Sequence, residues 1–157
     1  TRRVEFDAAH RIVGHSGKCR WFHGHHYVAE VVVEGDYADN LGMVYDFGEL
    51  KKVVGNWINT YWDHNIILTK NDPLAQIWVR GGEVEKNSDP ALLLSLDVFQ
   101  GRAPYLMDSN PTAELMAVEL FYAIRPAIMK DERCCLISVR IYETPTCWAD
   151  CTYMQKR

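Results

Sequence analysis

His23-Gly24-His25-His26-Tyr27-Val28-Ala29-Glu30-Val31-Val32-Val33-Glu34-Gly35 decides the fold class of this chain. From His26 to Glu34 it ends in the β-branched run Val31-Val32-Val33 and stops at a glycine, which is the composition of a strand. Upstream, Val4, Phe6 and Ala8 alternate with Glu5, Asp7 and Ala9, predicting an earlier half-buried strand over Val4 to His10. The polar stretch Gly14 to Lys18 joins the two as a loop.

Downstream the period changes. Asp46-Phe47-Gly48-Glu49 has the form of a capping box, in which the Asp and the Glu satisfy free backbone N–H groups reciprocally. The following Phe47, Leu50, Val53, Val54, Trp57, Ile58 and Tyr61 recur at i, i+3, i+4, i+7, so a helix with one apolar face is expected. Another helix is expected from Asn110-Pro111-Thr112, with Asn able to cap and Pro suited to the first turn. It should run through Leu115, Val118, Phe121 and Tyr122 and stop before Pro126. Leu136 to Thr144 alternates as a strand, and Ala149 to Tyr153 closes the chain as a shorter one. Between the helices, about residues 70–108 read as an insertion whose apolar pieces, Leu74 to Val79 and Ala91 to Phe99, fit either a short strand or a helical turn. The order is β-β-α-(insertion)-α-β-β, an α+β pattern built on antiparallel hairpins.

The 157 residues suit one domain with a sizeable core. With 48% hydrophobic and 24% charged residues the composition is globular, and a net charge of −4 gives no general attraction for nucleic acid. No apolar run is long enough to span a membrane. Thr1-Arg2-Arg3-Val4-Glu5-Phe6-Asp7 has no long apolar stretch behind its arginines, so a cytoplasmic location is expected. Five cysteines, an odd number, fit reduced thiols better than a disulfide framework. No internal repeat is present.

His10 ends the first strand while His23 and His25 open the second. Residues i and i+2 of a strand share a face, so His23 and His25 can converge and the neighbouring strand can add His10. Three imidazoles with an open fourth position form a catalytic zinc site, although a His-x-His pair alone is more often a plain surface or core feature. Cys19, flanked by Lys18 and Arg20, lies four residues before His23. It is either a thiolate base, a fourth metal ligand, or a buried inert thiol. Asp63-His64, directly after the first helix, can form a carboxylate-oriented imidazole for proton transfer or be a solvated helix end. Glu143, at the end of an apolar strand, is a solvated strand end or an acceptor for a planar donor edge. Cys134, Cys135, Cys147 and Cys151 read as ordinary thiols.

Together these segments resemble the 6-pyruvoyl-tetrahydropterin synthase and 6-carboxytetrahydropterin synthase family. The matching pieces occur in the family's order: Phe6-Asp7-Ala8-Ala9-His10-Arg11, Lys18-Cys19 with His23-Gly24-His25, Gly42-Met43-Val44-Tyr45-Asp46-Phe47 with Glu49-Leu50-Lys51, Asp63-His64, Asn110-Pro111-Thr112-Ala113-Glu114, and Tyr142-Glu143-Thr144. The resemblance implies a tunnelling fold, with an antiparallel four-stranded sheet, two helices on one face, and a homo-oligomeric β-barrel, hexamer or tetramer, with active sites between subunits. It also implies that His10, His23 and His25 bind Zn2+, that Cys19 is the catalytic thiol with Asp63 and His64 as the proton-transfer pair, and that Glu143 anchors the pterin ring. The implied substrate is 7,8-dihydroneopterin triphosphate, with Lys18 and Arg20 facing the triphosphate. Of the family's two reactions, the Lys18-Cys19 spacing to His23 and the Asn110 to Glu114 run look more like the carboxytetrahydropterin branch, which releases acetaldehyde and triphosphate and feeds queuosine synthesis. The 6-pyruvoyl branch and a non-catalytic zinc- and pterin-binding protein are the alternatives. Two features depart from the family: Trp62 stands where an aliphatic residue commonly precedes Asp-His, and the insertion, expected to act as a lid or intersubunit surface, lengthens a normally short connection.

Overall fold

The computed structural model describes residues 1–36, 38–75 and 103–153. Strands β1 (Arg2–His10) and β2 (His23–Gly35) pair antiparallel with His10 opposite His23 and Phe6 opposite Tyr27. Helix α1 (Phe47–Tyr61) leads to β3 (Asn65–Thr69), and β4 (Tyr105–Met107) precedes α2 (Ala113–Ile128). Strands β5 (Cys134–Thr144) and β6 (Cys147–Thr152) complete a sheet of order β4-β3-β1-β2-β5-β6.

The α+β pattern holds, but the expected four-stranded antiparallel sheet is corrected to a six-stranded mixed one. Its antiparallel part is β1, β2, β5 and β6; β3 pairs parallel to β1, and β4 parallel to β3. Ile67, Leu68 and Thr69 are all buried, so β3 is covered on both faces and shows none of the alternation that marks a half-buried strand. At three residues, β4 is too short for a period to register. It lies inside the stretch read as an insertion. Residues 73–75 form a helical turn, while the rest of Leu74 to Val79, all of Ala91 to Phe99, and with them the expected lid or intersubunit surface, lie outside the described residues.

Helices α1 and α2 cover one sheet face. Phe6 and Ala8 of β1 and Tyr27, Ala29 and Val31 of β2 point the same way and form one core with Leu50, Val54 and Ile58 of α1 and Met116, Ala117, Leu120 and Ile124 of α2. Each large side chain buried there contributes about 1.5–3 kcal/mol. The actual stripes are narrower than the sequence pattern, because Phe47, Tyr61, Val118 and Tyr122 are exposed. Asp46 caps α1 by accepting from Gly48 and Glu49 N–H, but Glu49 pairs with Lys52 instead of reaching back. In α2 the cap is Thr112, not Asn110, and the helix continues through Pro126. Pro126 is exposed and Ile124 and Ile128 on either side of it are buried, so core packing carries the last turn past the lost N–H. Register also shifts between Val32 and Val33, where Ile137 is the extra residue on β5, so the inward positions run Leu136, Val139, Ile141. Trp62, fully buried at the end of α1, packs on Phe6, Trp57 and Tyr105. None of the described helices is long and apolar enough to cross a membrane.

Candidate functional site

The β1–β2 register puts His10 and His23 opposite each other, and strand alternation puts His25 on the same face. A Cβ at Gly24 would lie 3.0 Å from the Ala8 carbonyl oxygen, so glycine permits the close strand approach between these histidines. One ring nitrogen from each of the three lies within 4.8 Å of the others, the one such group among the described residues.

Hydrogen bonds settle the tautomers. His10 Nδ1 is 2.7 Å from the Pro111 carbonyl and His23 Nδ1 is 2.8 Å from that of Trp21; a carbonyl only accepts, so both Nδ1 atoms carry the proton. In the neutral rings the two Nε2 lone pairs then face each other at 3.1 Å. The Nε2 of His25 is buried with no hydrogen-bond partner. Burial pushes the His10 pKa down to about 4 against the opposing Pro111 bond, with His23 and His25 adding to the depression. His25 is lowered for the same leading reason. Three imidazoles with one ring nitrogen each converging on one point, two of them oriented by carbonyls on the other nitrogen, are a donor set for a divalent metal such as zinc.

Cys19 sits in a single 3-10 turn, Lys18–Arg20, and its carbonyl accepts from Ile12 N–H at 2.8 Å, closing the loop between β1 and β2. The thiol lines a recess of about 250 Å³ with His10, Glu143 and Cys147. Cys147 was not distinguishable in sequence from the other thiols. Its signal is the β5–β6 turn, which returns the chain beside Glu143. Glu143 lies at the register irregularity between Tyr142 and Thr144, and its Oε1 is 3.7 Å from His10 Nε2. A bulge there re-aims the side chain. Arg20 stacks over Trp21 at 4.5 Å.

Asp63 and His64 do form a pair, Oδ1 to Nδ1 at 2.9 Å. His64 has φ of 54°, a left-handed conformation that costs a non-glycine residue of order 1 kcal/mol or more, and its N–H is held by the Asp7 carbonyl at 2.7 Å. Asp63 Oδ1 in turn accepts from Asp7 N–H at 3.0 Å. The His64 recess is lined by Asp7, Gly24, His25 and His26, so it reaches the histidine cluster at His25, while Cys19 lines another recess. Within one chain, therefore, His10, Cys19 and Glu143 line one recess and His64 another, with His25 on the side of His64. Asn110, read as a cap, instead bonds both backbone groups of Val13 through its amide.

The sequence model of the 6-pyruvoyl tetrahydropterin synthase family matches residues 1–153, and the chain belongs to that family. It is 38% identical over 150 residues, 96% of each chain, to the 6-carboxy-5,6,7,8-tetrahydropterin synthase of Rickettsia typhi. To the protein of that name from Haemophilus influenzae it is 31% identical, covering 99% of this chain and 97% of the other. Its fold is similar to that of Caenorhabditis elegans 6-pyruvoyl tetrahydropterin synthase, with a TM-score of 0.65 at 23% identity over 98% of this chain and 93% of that one.

Proposed function

We propose that this chain is a 6-carboxy-5,6,7,8-tetrahydropterin synthase, a single pterin-synthase domain that converts 7,8-dihydroneopterin triphosphate to 6-carboxytetrahydropterin, acetaldehyde and triphosphate on the cytoplasmic deazaguanine route to queuosine. The observation that carries this reading is the near-full-length identity to relatives of that name, 38% over 96% of both chains.

His10, His23 and His25 would hold zinc, which would supply a Lewis acid to polarise the hydroxylated side chain of the substrate and acidify its carbon-bound protons. The Cys19 thiolate removes such a proton. Glu143 accepts from the amino and ring N–H groups of the pterin, a bidentate match for a carboxylate. Asp63 holds the His64 imidazole by a 2.9 Å bond, so that it can carry a proton for the substrate hydroxyls. Because that pair and Cys19 line different recesses of one chain, His64 of one copy serves Cys19 of another in a homo-oligomer. Among the described residues β4 and β6 end the sheet, and β6, largely exposed, offers an edge for such assembly.

The test is mass-spectrometric product analysis after incubating zinc-loaded protein with 7,8-dihydroneopterin triphosphate. 6-Carboxytetrahydropterin with equimolar acetaldehyde is expected. 6-Pyruvoyltetrahydropterin without acetaldehyde would move the protein to the other branch of its family, and an unconsumed substrate would make it a binding protein.

A further inference from the structure

Arg11 follows His10 directly, and its guanidinium reaches across to Asp72, just after β3. Arg11 Nε donates to Asp72 Oδ2 at 2.7 Å and Nη2 donates to Oδ1, a bidentate pair. Asp72 is fully buried. Its Oδ1 also accepts from Leu74 N–H at 2.8 Å, so the carboxylate is well satisfied where it lies. A carboxylate out of water is stable only while such partners persist, which makes the pair a rigid fastening and not a mobile surface bridge.

What it fastens is the loop over residues 11–22. The other side of the Arg11 guanidinium lies 5.0 Å from the centre of the Phe22 ring, next to His23. Ile12 holds the Cys19 carbonyl, and Val13 is held by Asn110. The two ends of this loop are His10 and His23, whose Nε2 atoms stand 3.1 Å apart, and Cys19 lies within it. Arg11 is therefore the one side chain described that touches Asp72 on one side and the approach to His23 on the other, while its own backbone continues from His10.

We propose that Asp72 is a positioning residue for the metal and thiol site: by clamping Arg11 it fixes the loop whose ends present His10 and His23 and whose turn presents Cys19. The proposal rests on the metal reading above. It gives the segment after β3 a part in the chemistry without touching substrate.

The experiment measures zinc affinity by chelator competition, and the iodoacetamide alkylation rate of Cys19 by peptide mass spectrometry, in full-length wild type, Asp72→Ala and Arg11→Met. Zinc affinity is expected to fall several-fold in both variants, with Cys19 alkylated several times faster. Ile124→Val in the distant core of α2 controls for general loosening and should leave both readouts at the wild-type level. Where Asp72→Ala does not fold, the isosteric Asp72→Asn is read in the same way. Zinc affinity within about twofold of wild type together with an unchanged alkylation rate would overturn the proposal, as would an equal loss of zinc in Ile124→Val. A wild-type protein that binds no zinc would instead sink the metal reading, and the alkylation rates would still decide the role of Asp72.

Discussion

His25 and His26 are neighbours in sequence and opposites in chemistry. His25 points to the helix-covered face, where burial lowers its pKa and leaves its Nε2 without a partner beside His10 and His23. His26 points to the other face, 60% exposed, where its Nδ1 donates to Asp7 Oδ1 at 2.9 Å and its pKa is raised. The same contrast separates Cys19 and Glu143 from the Asp63–His64 pair, which line different recesses. A strand period of two thus puts His25, with the three-histidine cluster, and His26, with the Asp7 carboxylate, on opposite faces, and one residue of register would exchange them.

The largest effect expected from breaking this division is at Cys19. Cys19→Ala should lower turnover by about 10²–10⁴-fold, the usual worth of a positioned base, while zinc content measured by elemental analysis stays unchanged. If the zinc is lost instead, the thiol is a ligand and the role given to it is wrong. Trp62→Ala, on the helix-covered side, should cost about 3–5 kcal/mol in urea unfolding. Trp148→Ala, on a half-exposed ring, should cost under about 1 kcal/mol, and equal losses would dissolve the distinction between the faces. His25→Ala should weaken zinc binding by more than about 100-fold, since even an outer partner is worth 10–100-fold, whereas His26→Ala should stay within about twofold of wild type. Comparable losses in calorimetric titrations would show that the register argument fails.

The smallest effect concerns acid. Burial works to raise the Asp72 pKa, but the Arg11 guanidinium and the Leu74 and Ala75 amides outweigh it and leave the carboxyl lower than usual. With a native pKa below the roughly 3.9 of an unfolded aspartate, the stabilisation is complete above that value and disappears as pH falls through the native one. Urea midpoints for wild type and Asp72→Asn should therefore differ most near neutrality, with the difference shrinking as pH falls below the unfolded value of about 3.9. A constant difference down to the acid limit would contradict the assignment.

What the sequence made legible follows from period. The convergence of His10, His23 and His25 can be read from alternation alone, because the hairpin is half-buried. β3 and β4 could not be read that way, one being buried on both faces and the other only three residues long. Asn110 and Pro126 misled for another reason. Each has a strong local preference, as cap and as helix breaker, that long-range contacts override: the Val13 backbone in one case and the core under Ile124 and Ile128 in the other. The Arg11–Asp72 clamp joins residues 61 apart in sequence and has no local signature. The pairing within Asp63-His64 follows from adjacency, but its separation from Cys19 depends on where the β1–β2 loop and the turn after α1 come to lie, which no local pattern records.

The claim that one chain divides the chemistry and an assembly reunites it is tested most directly by mixing two inactive variants. Cys19→Ala and His64→Ala proteins, co-expressed so that they assemble together, should regain turnover of 7,8-dihydroneopterin triphosphate that neither shows alone, through sites combining an intact Cys19 from one copy with an intact His64 from another. Mixed assemblies that form but remain inactive would contradict the account.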